Sequence, residues 1–589
     1  MTTLDNYGDQ ICDLLVDLNY THCFFVAGGN IMHILNSASK KFKCIPVIHE
    51  VSAGIAAEFF NEANRDSNSR AFALVTAGPG LTNLITAIAG AYLESRELLV
   101  IGGQVKTADL KTESLRQNGI QEIDGISLVE SVTLRRLRLD KTFEISQVRN
   151  LIEIENGVRK GPVFLEFCLD IQAAPKIKKS AISEPSDAPK HDNDFSSFFQ
   201  NFSSYKRPVL LLGGGVSRSF VSKNRVAFEE IPFPIMTTWN AADRIDSNQQ
   251  NYMGRPNTWG QRSANVILQQ ADLIMAVGTR LGLQQTGFNW QGFGPLADIV
   301  HVDVDAYELN RANLKTKFKY QCDAHYFLAQ FLALDKTDLY EDWIDFSKSV
   351  REILPLSESS NVVQGDFWNP YDFVLQLSQI LVSSDSIIPS SSGAAETVTM
   401  QALQQVDGNT VITNKGLASM GYGLAGAIGV AFKTGKRVIH LEGDGGFAQN
   451  LQEIGTVAKN QLPIKTFLFC NSGYASIRMT QKSYFGGSYM GCDAETGLGL
   501  PNWEAIFEAY GIGVTTLNPK GGLNDEFLEK FNDLSPRAFL IPIHPEQTYY
   551  PKITSKVLDN GQMESNPLHL MTPELAPEVA ARVYRYLHI

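Results

Sequence analysis

The sequence predicts an α/β protein of three units, each a mainly parallel sheet flanked by helices. Three observations carry this expectation. Short, continuously apolar runs recur and end in glycine-containing turns, as expected of strands covered on both faces of a parallel sheet. Stretches with three- and four-residue apolar spacing separate them and read as helices. Two polar, proline-containing stretches, about Pro175 to Pro208 and about Pro355 to Asn369, divide the chain into thirds. The 589 residues suit about two to four domains. The boundaries read as 1–180, 190–345 and 365–589.

In the first unit, Leu14, Leu15 and Leu18 form a helical stripe. Cys23-Phe24-Phe25-Val26 is a short strand ending at Gly28-Gly29. Pro46-Val47-Ile48-His49-Glu50 reads as a strand ending in a carboxylate, followed by the small-residue helix Ser52 to Glu58. Ala71 to Val75 and Leu98 to Ile101 are further strands. The first linker ends in a helical stretch, Phe195 to Phe202. The second unit has strands before Gly213-Gly214-Gly215 and Gly278, and another at Ile299 to Asp303. In the third, Arg437 to Leu441 is a buried strand ending in Glu442-Gly443-Asp444-Gly445-Gly446. A helix from Phe447 to Ala458 follows, Pro463 breaks it, and Ile464 to Cys470 is the next strand. No short-period repeat is present, and the first and third units could be structural duplicates.

Composition excludes several classes. Hydrophobic residues make up 44% and charged residues 19%, so the chain has ample core and is not disordered as a whole. The net charge of −12 argues against nucleic acid as the main partner. The seven cysteines are odd in number and form no C-x-x-C pair, which argues against a disulfide framework or a zinc site. The N-terminus has no basic, then apolar, leader pattern, and no uncharged apolar run reaches the roughly 18 residues of a membrane span. A cytoplasmic protein without membrane contact is expected.

The sharpest chemical signal is the β-α-β unit of the third block. Polar groups stand at the C-terminal ends of both strands, where parallel sheets bind ligands. Asp444 and Asn471 are brought together if the strands are adjacent. A carboxylate, an amide oxygen and the Gly473 carbonyl make a hard-oxygen site suited to Mg²⁺ with phosphate and water. Gly443, Gly445 and Gly446 let backbone approach a phosphate. A lone Gly-Asp-Gly is equally an ordinary turn, and the Asn-x-Gly at the next strand end separates the two readings.

Gly443-Asp444-Gly445, the spacer and Asn471-Ser472-Gly473 together resemble the thiamine diphosphate (ThDP) enzymes. The resemblance implies Mg²⁺ on Asp444, Asn471 and the Gly473 carbonyl. Cys470 replaces the first Asn of the family's common Asn-Asn pair. It also implies pyrimidine-binding, central and diphosphate-binding domains in chain order. Glu50 falls at the family's essential glutamate, which hydrogen-bonds the aminopyrimidine and so activates the cofactor; a lone glutamate there would otherwise read as a solvated helix start. Gly29, Gly80 and Asn83, the last two in Thr76-Ala77-Gly78-Pro79-Gly80-Leu81-Thr82-Asn83, match cofactor-binding positions, as do Ser419, Met420 and Tyr474. Met420 matches the residue wedged between the cofactor's rings; a core methionine is the bland alternative. Gly393, Ala394 and Ala395 stand at the diphosphate-binding segment.

Gln117-Asn118-Gly119-Ile120-Gln121-Glu122 resembles the Phe-Gln-Glu segment of the acetohydroxyacid synthase-like branch, with Gln121 near the reacting carbon and Ile120 in place of Phe. That branch binds FAD in its middle domain, which implies contacts at Gly214, Gly278, Arg280, Asp303 and Asp323; relatives hold ADP or nothing there. Ile477 and Thr480 would face the acceptor, with Thr480 where acetohydroxyacid synthases carry Trp. Residues 474–487 look more like members of polysaccharide and branched-sugar pathways. The expected activity is a carboligase that decarboxylates a 2-keto acid, pyruvate first, and transfers the acyl-anion equivalent to a carbonyl acceptor such as a keto-sugar nucleotide. The rivals are a decarboxylase or C–C lyase releasing an aldehyde, acetolactate synthase itself, and a non-catalytic relative. Family architecture implies a homodimer or homotetramer with Glu50 and Asp444 from different subunits in each site.

Overall fold

The computed structural model describes residues 6–587 apart from 66, 113, 156, 178–192, 336–339, 364, 391, 558–560 and 562. Residues 178–192 of the first expected linker lie outside the described residues; its helix is present at Ser196–Asn201. Three parallel sheets form the framework, and helices flank each of them, as expected.

The first sheet contains β1 (Tyr20–Phe25), β2 (Lys43–Pro46), β3 (Arg70–Val75), β4 (Leu98–Gln104), β5 (Arg135–Leu139) and β6 (Pro162–Cys168), in the order β2-β1-β3-β4-β6-β5. The interior strands β4 and β6 are buried along their whole length, which is why they read as largely apolar runs. The second sheet contains β7 (Pro208–Leu212), β8 (Ile235–Thr237), β9 (Leu273–Val277), β10 (Asp298–Asp303) and β11 (Phe318–Gln321), in the order β11-β10-β9-β7-β8. The third contains β12 (Ser386–Pro389), β13 (Thr410–Val411), β14 (Val438–Gly443), β15 (Ile464–Cys470), β16 (Gly513–Thr516) and β17 (Arg537–Pro542). Its order, β13-β12-β14-β15-β17-β16, repeats that of the first sheet strand for strand.

The first and third units meet through two small-residue helices, Glu50–Ala63 and Tyr422–Thr434. Glycine is required here by close approach: a Cβ on Gly429 would stand 2.0 Å from the Ala56 carbonyl oxygen, and one on Gly426 would stand 2.6 Å from the Phe59 ring. A buried polar cluster closes the contact. Glu58 accepts from Arg96 Nη1 at 3.0 Å, Asn414 Nδ2 at 3.2 Å and the Tyr422 hydroxyl at 2.5 Å. Burial pushes the Glu58 carboxyl up to about 6 against the pull of Arg96.

Two local readings are corrected. Residues 46–50 are not all strand: β2 ends at Pro46, and Glu50 is the first residue of its helix, with His49 as the N-cap. The expected helix from Phe447 to Ala458 is interrupted into Asp444–Phe447, a 3₁₀ turn Leu451–Glu453 and Ile454–Asn460. At the break, Asn450 turns its side chain to the Gly421 carbonyl at 2.8 Å.

The reading carried the third unit to residue 589, but its last stretch returns to the middle unit. Ile553, Leu568, Met571 and Val583 join the core under the second sheet. Arg262 and Gln270 there donate to the Met571 and Val583 carbonyls at 3.1 and 2.9 Å. Among the described residues no helix is long and apolar enough to cross a membrane, and all seven cysteines are free.

Candidate functional site

Strands β14 and β15 are adjacent and parallel, with Gly443 opposite Phe469, so Asp444 and Asn471 leave the same sheet edge side by side. Asp444 Oδ1 accepts from the Gly445 and Gly473 N–H groups at 2.8 and 3.2 Å, and Oδ2 accepts from Ser472 N–H at 2.9 Å. Burial nevertheless dominates and pushes its carboxyl up to about 6. One end of the Asn471 amide lies 2.8 Å from the Gly473 carbonyl oxygen and 3.2 Å from Asp444 Oδ1. Turned with nitrogen inward, it donates to both. Turned with oxygen inward, it completes three converging oxygens and no donor. That second arrangement is the donor set of a hard cation, so the residues present fit Mg²⁺. No group of three His, Cys, Asp or Glu side chains among the described residues is placed to hold a metal. The three protein groups would leave the rest of a six-oxygen shell to other ligands.

The loop is held from behind by a residue that sequence reading assigned no role. Arg478, buried on the helix Ala475–Phe485, donates to the carbonyls of Asn471, Ser472 and Pro545 at 3.3, 3.1 and 2.7 Å. Gly473, at φ +129°, is required: a Cβ would stand 2.2 Å from the Cys492 carbonyl oxygen. The Tyr549 hydroxyl, buried and raised by desolvation, faces the Asn471 amide. It lies far away in sequence, and no motif marks it.

The expected cradle is partly side chain and partly backbone. The Cβ position of Gly443 is open, that of Gly446 meets Glu442, and that of Gly445 would clash with the Tyr474 ring at 2.5 Å. Gly393, at φ +82° with open space around it, begins the helix Gly393–Ala402. Ala394 and Ala395 are packed in the core of the third unit, so only their backbone N–H groups are available to a ligand. Ser419 and the exposed Met420 precede the Tyr422–Thr434 helix, and Gln449 Nε2 reaches Met420 Sδ at 3.6 Å.

The first unit gathers its expected residues at the C-terminal ends of its strands. Asn83 Nδ2 donates to Glu50 Oε2 at 3.0 Å. Gly78, at φ +63°, lies under Gln121, whose carbonyl oxygen would be 2.5 Å from a Cβ there. Gln121 itself has φ +62°, an uncommon conformation for a non-glycine residue. Gly80 is buried beside Thr76, and Gly29 starts a 3₁₀ turn with open space above it. Glu453, from the third unit, accepts from the Ile48 and His49 N–H groups at 3.1 and 3.0 Å and so fixes the start of the Glu50 helix. Among the described residues no hydrogen bond joins Glu50 or Gln121 to Asp444, Asn471 or Gly473. Ile477 and Thr480 are exposed on one face of their helix, and the Thr480 hydroxyl bonds back to the Ser476 carbonyl at 3.0 Å.

A second site lies between the units: a cavity of about 1090 Å³ lined by Gly214, Gly278, Arg280, Asp303 and Asp323. The first unit adds Arg65, and the third adds Lys415. Close approach of backbone explains the glycines: a Cβ on Gly213 would stand 2.1 Å from the Gly278 carbonyl oxygen. Desolvation pushes Asp303 up to about 6. Asp323 caps the helix Ala324–Leu332, and His325 beside it holds it below its ordinary value. Trp239 Nε1 and Asn240 Oδ1, on the cavity wall, are buried without a partner. Unsatisfied polar atoms on a glycine-lined cleft fit a nucleotide-type group such as FAD. Sequence reading missed Trp239 and Asn240 because nothing local distinguishes them from core residues.

Three family models match the chain. They are the thiamine pyrophosphate enzyme N-terminal TPP binding domain over residues 5–128, the central domain over 197–331, and the C-terminal TPP binding domain over 391–539. Among curated proteins, the acetolactate synthase isozyme 1 large subunit of Escherichia coli is 28% identical over 535 residues, covering 90% of this chain and 92% of the relative. The acetolactate synthase large subunit of Corynebacterium glutamicum is 28% identical over 515 residues, covering 84% and 80%. That of Lactococcus lactis subsp. lactis is 28% identical over 533 residues, covering 87% and 88%.

Proposed function

The chain belongs to the thiamine pyrophosphate enzymes, as an acetolactate synthase-like carboligase, and from that premise we propose that it decarboxylates a 2-keto acid, pyruvate first, and joins the acyl unit to a carbonyl acceptor. One observation carries the assignment of the centre: the Asp444 carboxylate, the Asn471 amide and the Gly473 carbonyl converge at the ends of adjacent parallel strands. These three would hold Mg²⁺, and the open backbone at Gly393 and Gly443 would admit the diphosphate, with Gly445 and Gly446 packed beside it against Tyr474 and Glu442. Bound thiamine diphosphate supplies the electron sink for loss of CO₂ and the carbon nucleophile for the new bond.

The protein's own residues orient and move protons. Glu50 would hydrogen-bond the pyrimidine nitrogen and hold a proton there. Asn83, donating to Glu50 Oε2, would leave Oε1 free for that contact. Met420, exposed before its helix, would support the bent cofactor. Gln121, raised over the Gly-Pro-Gly turn, would stand at the reacting carbonyl. Ile477 and Thr480 would line the acceptor side. Thr480 leaves more room than a tryptophan would, which supports a bulky acceptor such as a keto-sugar nucleotide over a second small keto acid.

Among the described residues Glu50 and the proposed metal loop share no hydrogen bond, and Ile48, Ile120, Met420 and Ile477 are exposed apolar groups of the first and third units. This supports a site completed by a second copy of the chain. The cavity between the units would hold FAD, with ADP as the smaller alternative; Arg280 would face its pyrophosphate.

The test is a cofactor and product analysis. Protein denatured after loading should release ThDP and FAD. With pyruvate it should form CO₂, and with added acceptors a ligated product. Free aldehyde as the only product, whatever the acceptor, would make it a decarboxylase. No CO₂ from a broad panel of 2-keto acids would refute catalysis.

A further inference from the structure

Under the expected cradle lies a chain of buried polar side chains that the reaction does not use directly. His440 and Glu442 are two residues apart on β14 and face the same side. His440 Nε2 lies 3.0 Å from Glu442 Oε2, and Ser390 Oγ donates to Glu442 Oε1 at 3.0 Å. On the far side, His440 Nδ1 meets Thr466 Oγ1 on β15 at 3.4 Å. Ser390, His440 and Glu442 are each at most 1% exposed, and Thr466 is 4% exposed. With Glu442 accepting from both neighbours, Nε2–H of His440 donates to it, and Nδ1 is left to accept from Thr466.

The position of this carboxylate is what matters. Ser390 directly follows β12 and stands three residues before Gly393. Gly423 sits over the pair in the first turn of the Tyr422–Thr434 helix, where a Cβ would stand 2.4 Å from His440 Nε2 and 2.8 Å from Glu442 Oε2. Gly446 sits over its other edge, with a Cβ position 3.2 Å from Glu442 Oε1. Three segments therefore meet on one buried side chain: Ser390 at the end of β12 ahead of Gly393, the helix behind Met420, and the Gly443–Gly446 segment that carries Asp444. They come from three places in the sequence.

We propose that Glu442, clamped by Ser390 and His440, is a positioning residue that holds these three segments in register for the diphosphate and its cation. This rests on the reading that ThDP binds there. A buried, fully partnered carboxylate suits the task because each of its bonds is charge-assisted and directional. Losing it frees the segment ahead of Gly393 and the first turn of the following helix to move relative to Asp444.

The experiment measures the apparent Kd of ThDP at fixed Mg²⁺ by quenching of intrinsic fluorescence, and the Tm of the cofactor-free protein, for wild type, S390A, E442A and E442Q. E442A should weaken ThDP binding at least tenfold, and S390A about threefold or more. E442Q keeps the shape and can accept from Ser390 while donating to His440, so it should return to within about threefold of wild type. A merely packing role would lower the Tm of E442A and leave Kd unchanged, and that result would overturn the proposal. If E442A does not fold, S390A decides: a wild-type Kd in S390A would equally overturn it. Wild-type protein that fails to bind ThDP would refute the proposed function instead, which keeps the two failures apart.

Discussion

Replacing Asp444 by Asn tests the chemistry of the proposed metal loop in the cation-free protein. Burial raises the Asp444 carboxyl from its ordinary 3.8 to about 6, although three backbone N–H groups point at it. The folded protein therefore holds this proton more tightly than the unfolded chain. Its contribution to stability is fully present below pH 3.8 and is lost as pH rises through about 6. The full difference amounts to about 3 kcal/mol at pH 7.5, and roughly half of it has already gone at pH 5. Asn carries no charge and escapes this loss. It pays instead by turning an NH₂ toward a backbone donor, a penalty of about 1 kcal/mol that does not change with pH. The readout is therefore the slope. In EDTA, scanning calorimetry should show Asp444→Asn gaining on wild type between pH 5 and pH 7.5 by about 1–2 kcal/mol. Saturating Mg²⁺ and ThDP should raise the wild-type Tm at pH 7.5 and leave that of the variant unchanged. A wild-type advantage that is flat or grows with pH in EDTA would refute the reasoning, because Asp444 would then already be comfortably ionised without a cation.

Other outcomes follow from single contacts. Glu50→Gln should keep ThDP bound and reduce turnover about 10²- to 10⁴-fold; near-full activity would sink the proton role. Glu453→Ala leaves the Ile48 and His49 N–H groups without their acceptor. It should destabilise the protein by roughly 2–5 kcal/mol and lower turnover through Glu50, so an unchanged Tm with full activity would count against that support. Gly429→Ala drives a methyl into the Ala56 carbonyl and should lower stability by about 1–3 kcal/mol. A variant as stable as wild type would mean the two helices part more easily than their spacing indicates.

Much of the architecture was legible because parallel strands buried on both faces are written as apolar runs, and because glycines mark their ends. The third unit's β-α-β segment was readable almost residue by residue: Asp444 and Asn471 do emerge side by side from β14 and β15. What could not be read depends on packing between distant segments. Glu442 and His440 look like stray polar residues in a buried strand until Ser390 and Gly423 are placed against them. Trp239 and Asn240 acquire meaning only as walls of a cavity to which all three units contribute. Ala394 and Ala395 were expected at the cradle by their place in a motif; that their side chains belong to the core, leaving only backbone N–H groups for a ligand, depends on packing. The helix after Asp444 read as continuous because its apolar spacing is regular; the bond from Asn450 to Gly421, which interrupts it, is a tertiary event.

The shared strand order of the first and third sheets places the Glu50–Ala63 and Tyr422–Thr434 helices in equivalent positions, each following the second strand of its sheet. Their contact thus has the layout of a twofold association between like subunits, held within one polypeptide. In a true symmetric pair every change is made twice, and a buried acid near the axis faces its own copy. Here each side has been free to diverge. Glu58 meets Arg96, Asn414 and a tyrosine from the other helix, and glycine can be spent on one partner where the other keeps its bulk. Covalent linkage of two like halves turns a surface that would have to be self-complementary into one that need only be complementary, with one half free to present the proposed acid, Glu50, and the other the proposed oxygen ligands.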